Sequence, residues 1–188
     1  LLVGSYVDAH FEGTLDIFRA KNPEIFKKNG ELKAEYIQAE YIIERLERDD
    51  TFMKYMGGAK QVIKTGEIEG IPFKIKIDSY HPNQAIVDLK VMRDFEDIYV
   101  EEQGRVPFIE AWGYDLQGAI YQAIEGNNLP FIIAAATKEK EPNLEVTRIT
   151  QPVLDVALEI VKSNVKRFAD LKKGIGEPIR CEKCDYCR

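Results

Sequence analysis

The chain has 188 residues, 45% of them apolar, enough to bury one substantial core, so a single domain is the default reading. Its formal net charge of −6 argues against a nonspecific nucleic-acid coat protein, which draws on clustered Lys and Arg, although a carboxylate metal site can sit inside a locally basic groove. The best apolar stretch, Leu129 to Ala136, falls far short of the roughly 20 residues of a membrane span, and all three cysteines lie in the last eight residues, which excludes a disulfide-stapled secreted fold and points to a reducing, cytoplasmic setting.

In chain order, residues 1 to 19 read as a helix, with Val3, Val7, Phe11, Leu15 and Phe18 at helical spacing and Gly13 as a point of interruption. Because the sequence opens on Leu1-Leu2-Val3-Gly4 inside that pattern, an upstream segment is expected. A second helix is predicted at about Lys33 to Glu47 and a short one from Asp50 to Met56, before Gly57-Gly58 closes a helical part spanning 1–58.

From Gln61 the period changes to two, and Phe73, Ile75 and Ile77 alternate with Lys74, Lys76 and Asp78. His81-Pro82-Asn83-Gln84 supplies turn chemistry, and Ala85 to Met92 resumes the alternation, with Val87, Leu89 and Val91 opposite Ile86, Asp88 and Lys90. After a polar connection, Ala111 to Glu125 is predicted helical, with Leu116, Ala119, Ile120, Ala123 and Ile124 as its buried stripe and Gly126 as its C-cap. Strands follow at Phe131 to Thr137 and Glu145 to Ile149. A long amphipathic helix then runs from Val153 to Lys172, carrying Val153, Val156, Ile160, Asn164 and Phe168 on adjacent turns. Residues 59–176 thus read as the core of one domain over 1–188, and residues 177–188 as a cysteine-bearing tail.

Strand alternation places Lys74, Lys76, Asp78, Asp88 and Lys90 on one side of a hairpin and Phe73, Ile75, Ile77, Val87, Leu89 and Val91 on the core side. Asp78 and Asp88 are equidistant from Asn83, so a turn centred there sets the two carboxylates opposite each other. Like charges so placed destabilise a sheet. A divalent cation between them, with oxygen ligands favouring Mg²⁺ or Mn²⁺, resolves the conflict; an ordinary solvated hairpin face with mixed charges is the alternative.

The order Asp78, nine intervening residues, then Asp88-Leu89-Lys90 resembles the Asp…(Asp/Glu)-x-Lys signature of the restriction-endonuclease-like, PD-(D/E)xK nucleases. Gln117 and Tyr121, one helical turn apart, resemble the Gln-x-x-x-Tyr helix that follows the metal site in RecB-like and RecE-like nucleases, where it packs beside the active site and contacts DNA. Gly4-Ser5-Tyr6-Val7-Asp8 is similar to the Gly-Ser-x-x-His helix of RecE-type phage and prophage exonucleases, with Asp8 where that family has a metal-ligating His. A true His stands at position 10, and only one of the two can face a metal from a regular helix; Asp8 is preferred, since its spacing fits and a carboxylate suits Mg²⁺.

The resemblance implies an α/β fold, with a restriction-endonuclease-like mixed β-sheet flanked by helices. It implies a Mg²⁺- or Mn²⁺-dependent exodeoxyribonuclease acting from the ends of duplex DNA in phage-type recombination. Asp78, Asp88, the Leu89 carbonyl and Asp8 would hold metal, Lys90 would orient the attacking water, and Lys74, Lys76, Gln117 and Tyr121 would meet DNA. A homo-oligomeric ring and a single-strand annealing protein are the implied partners, and no membrane is involved. Cys181, Cys184 and Cys187 form Cys-x-x-Cys-x-x-Cys, a spacing that can wrap three thiolates around an iron–sulfur cluster or zinc, one ligand short of the usual four. Two other functions stay open: an iron–sulfur RecB-like nuclease trimming single-stranded ends, and a catalytically silent DNA-binding subunit.

Overall fold

The computed structural model describes residues 2–101, 103–180 and 182. Cys181, Cys184 and Cys187 lie outside the described residues, and with them the cluster or zinc expected there. Helix α1 (Leu2–Phe11) stops just before Gly13, whose φ of +74° is left-handed, and α2 (Leu15–Lys21) follows, so the single helix expected over 1–19 is two. Helices α3 (Ala34–Glu47) and α4 (Asp50–Tyr55) come next, the latter capped by the Asp49 side chain, which accepts from Phe52 N at 2.9 Å.

Strands β1 (Ala59–Ile68), β2 (Ile71–His81) and β3 (Ala85–Met92) form an antiparallel meander. A small hairpin, β4 (Ile98–Val100) with β5 (Gly104–Val106), stands where a polar connection is expected; its strands are too short to leave an alternating pattern. The helix predicted from Ala111 is broken into α5 (Phe108–Ala111) and α6 (Tyr114–Glu125) by Gly113. Strand β6 (Phe131–Thr137), β7 (Leu144–Arg148) and helix α7 (Gln151–Lys172) complete the order.

The main sheet runs β1-β2-β3-β6-β7, antiparallel except for the central β3–β6 pair. A parallel pair needs a crossover, and α6 lies within it. This mixed sheet flanked by helices matches the expected fold class. Among the described residues, no helix is long and apolar enough to cross a membrane.

Both faces of the sheet are covered. Val87, Leu89 and Ala134 pack with Tyr6, Val7, Ile42, Leu46 and Phe52 beneath α1, α3 and α4. Ile75, Ile77, Ile86, Phe131, Ile133 and Leu154 pack beneath α6 and α7. The sequence-based expectation of a single core face holding Phe73, Ile75, Ile77, Val87, Leu89 and Val91, with Lys74, Lys76, Asp78, Asp88 and Lys90 together on the other, is therefore corrected: Lys76 and Asp78 look toward α1, and Asp88 and Lys90 toward α6. Helices on both sides leave no solvated face, as is usual around a parallel pair.

Two helix stripes also differ from expectation. On α6 the fully buried positions are Gly118, Ala119, Gln122 and Glu125, with Ile120 and Ile124 only partly covered. Helix α6 comes so close to β6 and α7 that a Cβ on Gly118 would lie 2.6 Å from Phe131 Cδ1 and 2.9 Å from Leu154 Cδ2. On α7 the buried residues are Leu154, Ala157 and Val165, while Val156, Ile160 and Phe168 are exposed. Of the stripe named from the sequence, Val153 and Val156 are exposed, while Ile160, Asn164 and Phe168 border an apolar groove against Leu116, Ile120 and Phe73.

Candidate active site

The pairing of β2 with β3 is short. It joins His81 to Ala85, Tyr80 to Ile86 and Ser79 to Val87, and ends there. The next pair in that register is Asp78 with Asp88, the two residues that the hairpin symmetry sets opposite each other. Beyond this point β2 stays with β1 as far as Ile71, and β3 stays with β6 as far as Met92, so the strands fork. In place of a strand partner, Leu89 N donates to Asp78 Oδ2 at 3.0 Å.

Alternation along β2 changes phase at the fork. Ile77 packs into the cluster beneath α6 and α7. Ser79, two residues on, faces the opposite side, where its Oγ donates to Tyr55 O at 2.8 Å and accepts from Gly58 N at 2.9 Å. Regular strands return residues i and i+2 to the same face. The irregularity is shared by β1, where Gln61 lies between the pairs Lys60–Ser79 and Val62–Ile77 and has φ of +54°. Asp78 thereby lines a small cavity with Asp8, Phe11, Glu12, Met56, Gln61 and Leu89, on the α1 side.

Asp88 is reached from α6. Gln117 Nε2 donates to Asp88 Oδ1 at 2.6 Å, and one turn later Tyr121 OH donates to Lys76 O at 2.9 Å. Lys90, next on the same strand face, is ion-paired with Asp88 Oδ2 and lies 5.0 Å from the centroid of the Tyr114 ring. The Lys90 ammonium is the partner of that buried Oδ2. Position 8 of α1 faces the same charges, whereas His10 turns toward α3 and meets Glu47 Oε1 at 2.7 Å.

The electrostatics follow from burial. Asp88 is 2% exposed, and desolvation pushes its carboxyl up to about 6, against the pull of Lys90. Desolvation, then the charge of Asp78, pushes Asp8 up to about 7, and burial also raises Asp78 against the Leu89 N–H and Lys90. For Lys90, burial alone would lower the pKa, but Asp88 and Asp78 outweigh it and hold the ammonium above its ordinary range. Three mutually repelling, desolvated carboxylates thus face a single buried ammonium. That surplus of hard oxygen donors fits a divalent cation bound by Asp78, Asp88, the Leu89 carbonyl and Asp8. Among the described residues, no three His, Cys, Asp or Glu side chains are drawn together as a ready-made ligand cluster; here the carboxylates are engaged by Leu89 N, Gln117 and Lys90.

Of the two lysines expected to steer phosphates, Lys74 is exposed, and Lys76 Nζ pairs with Glu12 Oε1 at 3.0 Å. A groove of about 340 Å³ opens beside Lys76, lined also by Ser5, Asp8, Glu12, Thr14 and Lys21; Lys74 does not border it. Sequence reasoning missed Gln61, Lys21, Tyr114 and also Lys60, whose ammonium is lowered by burial and raised by Asp78. Gln61 and Lys21 belong to no spacing pattern, whereas Tyr114 stands one turn before Gln117 on the face that carries Tyr121. Lys60 precedes the strand alternation that drew attention to Lys74 and Lys76.

Comparison with known proteins agrees with this architecture. The family model described as a PDDEXK-like domain of unknown function (DUF3799) matches residues 1–188. A crystal structure of a protein from Eubacterium rectale, named "putative exonuclease", is similar over 100% of this chain and 72% of its own, with 54% sequence identity and a TM-score of 0.93. No curated protein matches significantly.

Proposed function

Since the chain belongs to the family of PDDEXK-like domains DUF3799, within the PD-(D/E)xK nuclease superfamily, we propose that it is a divalent-metal-dependent exodeoxyribonuclease of the RecE-like kind, hydrolysing phosphodiester bonds from the end of duplex DNA. The observation that carries this reading is the fork between β2 and β3, where Asp78, Asp88 and Lys90 meet in a desolvated setting. Nucleases of this superfamily generally use divalent metals, and Mg²⁺ or Mn²⁺ suits the all-oxygen donor set. Such a cation, when bound, would acidify a water and neutralise charge building on the scissile phosphate.

The chain's own residues have separable tasks. Asp78, Asp88, the Leu89 carbonyl and Asp8 hold the cation. Gln117 keeps Asp88 in one orientation through its hydrogen bond to Oδ1. Lys90, held charged by its carboxylate neighbours, orients the attacking water and offers a positive charge to the phosphate. Tyr121 fixes the backbone of β2 at Lys76, and the groove lined by Lys21 and Lys76 gives the sugar-phosphate backbone a path to the fork.

By the same resemblance the enzyme would resect duplex ends for annealing recombination, as a homo-oligomeric ring beside a single-strand annealing protein. The test is digestion of linear against covalently closed circular duplex in Mg²⁺. An exonuclease degrades the linear form and spares the circle; equal attack on both overturns the end-dependence, and attack on neither overturns the nuclease.

A further inference from the structure

Gln61 departs twice from what a strand residue ordinarily shows. Its φ of +54° lies in the left-handed region that L side chains seldom adopt within a strand. Its side-chain Oε1 is buried and has no hydrogen-bond partner, a state that native proteins leave to few polar atoms. The amide nitrogen is spoken for, since Nε2 sits 3.5 Å from Asp78 Oδ1, at the long limit of a hydrogen bond.

The surroundings explain why Oε1 stays unpaired. The polar lining of the cavity that Gln61 shares with Asp8, Glu12, Asp78 and Leu89, beside the apolar Phe11 and Met56, is otherwise carboxylates, which accept and do not donate when ionised. The Leu89 N–H is committed to Asp78 Oδ2. With Asp8 and its neighbours ionised, an acceptor buried among these acceptors gains its partner from a cation.

We infer that Gln61 Oε1 is a neutral oxygen ligand of the divalent cation bound at the Asp78–Asp88 fork, and that the left-handed backbone at this position is what turns the amide into the cavity. The inference rests on the proposed metal site and names a member of it that no sequence motif marks. A bracing role for Gln61, in which Nε2 merely steadies Asp78, also predicts weaker binding in Gln61→Met, but it predicts no gain in Gln61→Glu, which separates the two.

The deciding experiment is calorimetric titration of the full chain with Mn²⁺, without DNA, for the wild type, Gln61→Met and Gln61→Glu, together with melting curves in EDTA. Gln61→Met keeps the length of the side chain and removes the oxygen. It should weaken Mn²⁺ binding by about tenfold while leaving the melting temperature in EDTA unchanged or raised, because a buried unsatisfied acceptor has gone. Gln61→Glu keeps an oxygen there, adds charge, and should bind Mn²⁺ more tightly than the wild type. Unchanged Mn²⁺ affinity in Gln61→Met, with or without a drop in the EDTA melting temperature, overturns the inference and leaves the nuclease reading intact. Should Gln61→Met fail to fold, Gln61→Glu decides, and affinity no better than wild type overturns the inference. A wild-type chain that takes up no Mn²⁺ at all overturns the metal site itself.

Discussion

Gln117 Nε2 donates to Asp88 Oδ1 at 2.6 Å, so the helix lying in the crossover between β3 and β6 fixes the carboxylate at the mouth of the fork. Replacing Gln117 with Leu removes that donor and leaves a buried carboxylate oxygen unpaired. Activity should fall by about 10- to 100-fold, the usual cost of losing a residue that orients a metal ligand. The bond also holds the Asp88 pKa down, so its loss raises a value already near 6, and the acid limb of the pH–rate profile should move to higher pH.

The raised carboxylates set a sign for stability against pH. Burial pushes Asp8 up to about 7 and Asp88 up to about 6, above the ordinary carboxylate value, so between about pH 4 and 7 these two groups hold more protons in the native state than in the unfolded one. In EDTA the melting temperature should therefore fall as pH rises through that window. A bound divalent cation offsets the repulsion among the ionised carboxylates, so the rise in melting temperature on adding Mn²⁺ should be larger at pH 8 than at pH 5. A metal effect independent of pH contradicts this account of the site.

Glu125 offers a contrast away from the fork. Its side chain is fully buried; desolvation raises its pKa, but hydrogen bonds from Tyr80 OH at 2.8 Å, Lys64 Nζ at 3.0 Å and Asn127 outweigh that and hold it near 2. Glu125→Gln should cost about 2 kcal/mol of stability at neutral pH with little change in turnover of the folded enzyme. The contribution of Glu125 is present above the ordinary Glu value and is lost as pH falls toward 2, so the gap between variant and wild type in denaturant unfolding should narrow on acidification.

Gly118→Ala tests how tightly α6 must seat. The new methyl would meet Phe131 and Leu154 at under 3 Å, forcing the helix outward at a cost of about 1–3 kcal/mol. Gln117 and Tyr121 ride on the same helix, so nuclease activity should drop together with the melting temperature. A variant with lowered melting temperature and full activity would show that the seating of α6 does not position the site.

Much of this was readable beforehand, and the failures have local causes. The alternation in β2 and β3, the turn at His81 to Gln84 and the symmetry of Asp78 and Asp88 about Asn83 give the register, because strand period and turn chemistry are local properties. The double-sided burial of the sheet was not legible, since a period of two separates two faces without saying that both are covered. Nor was the phase change at Asp78, which depends on the left-handed conformation of Gln61 on the neighbouring strand. On α7 the residues that pack fully inward, Leu154, Ala157 and Val165, lie beside the stripe that the spacing picks out, whose Ile160 and Phe168 border only an open groove. The preference for Asp8 over His10 rests on helix period and ligand chemistry, both local; that His10 turns to Glu47 needs α3 in place.

The most direct measurement is Mg²⁺-dependent release of nucleotides from end-labelled linear duplex by the wild type and by Asp88→Asn. This substitution keeps the shape of the side chain and an acceptor for Gln117 but gives up the charge that binds the cation. The account predicts steady release by the wild type, none in EDTA, and a loss of about a thousandfold in the variant with its fold retained. Release by Asp88→Asn at the wild-type rate would contradict it.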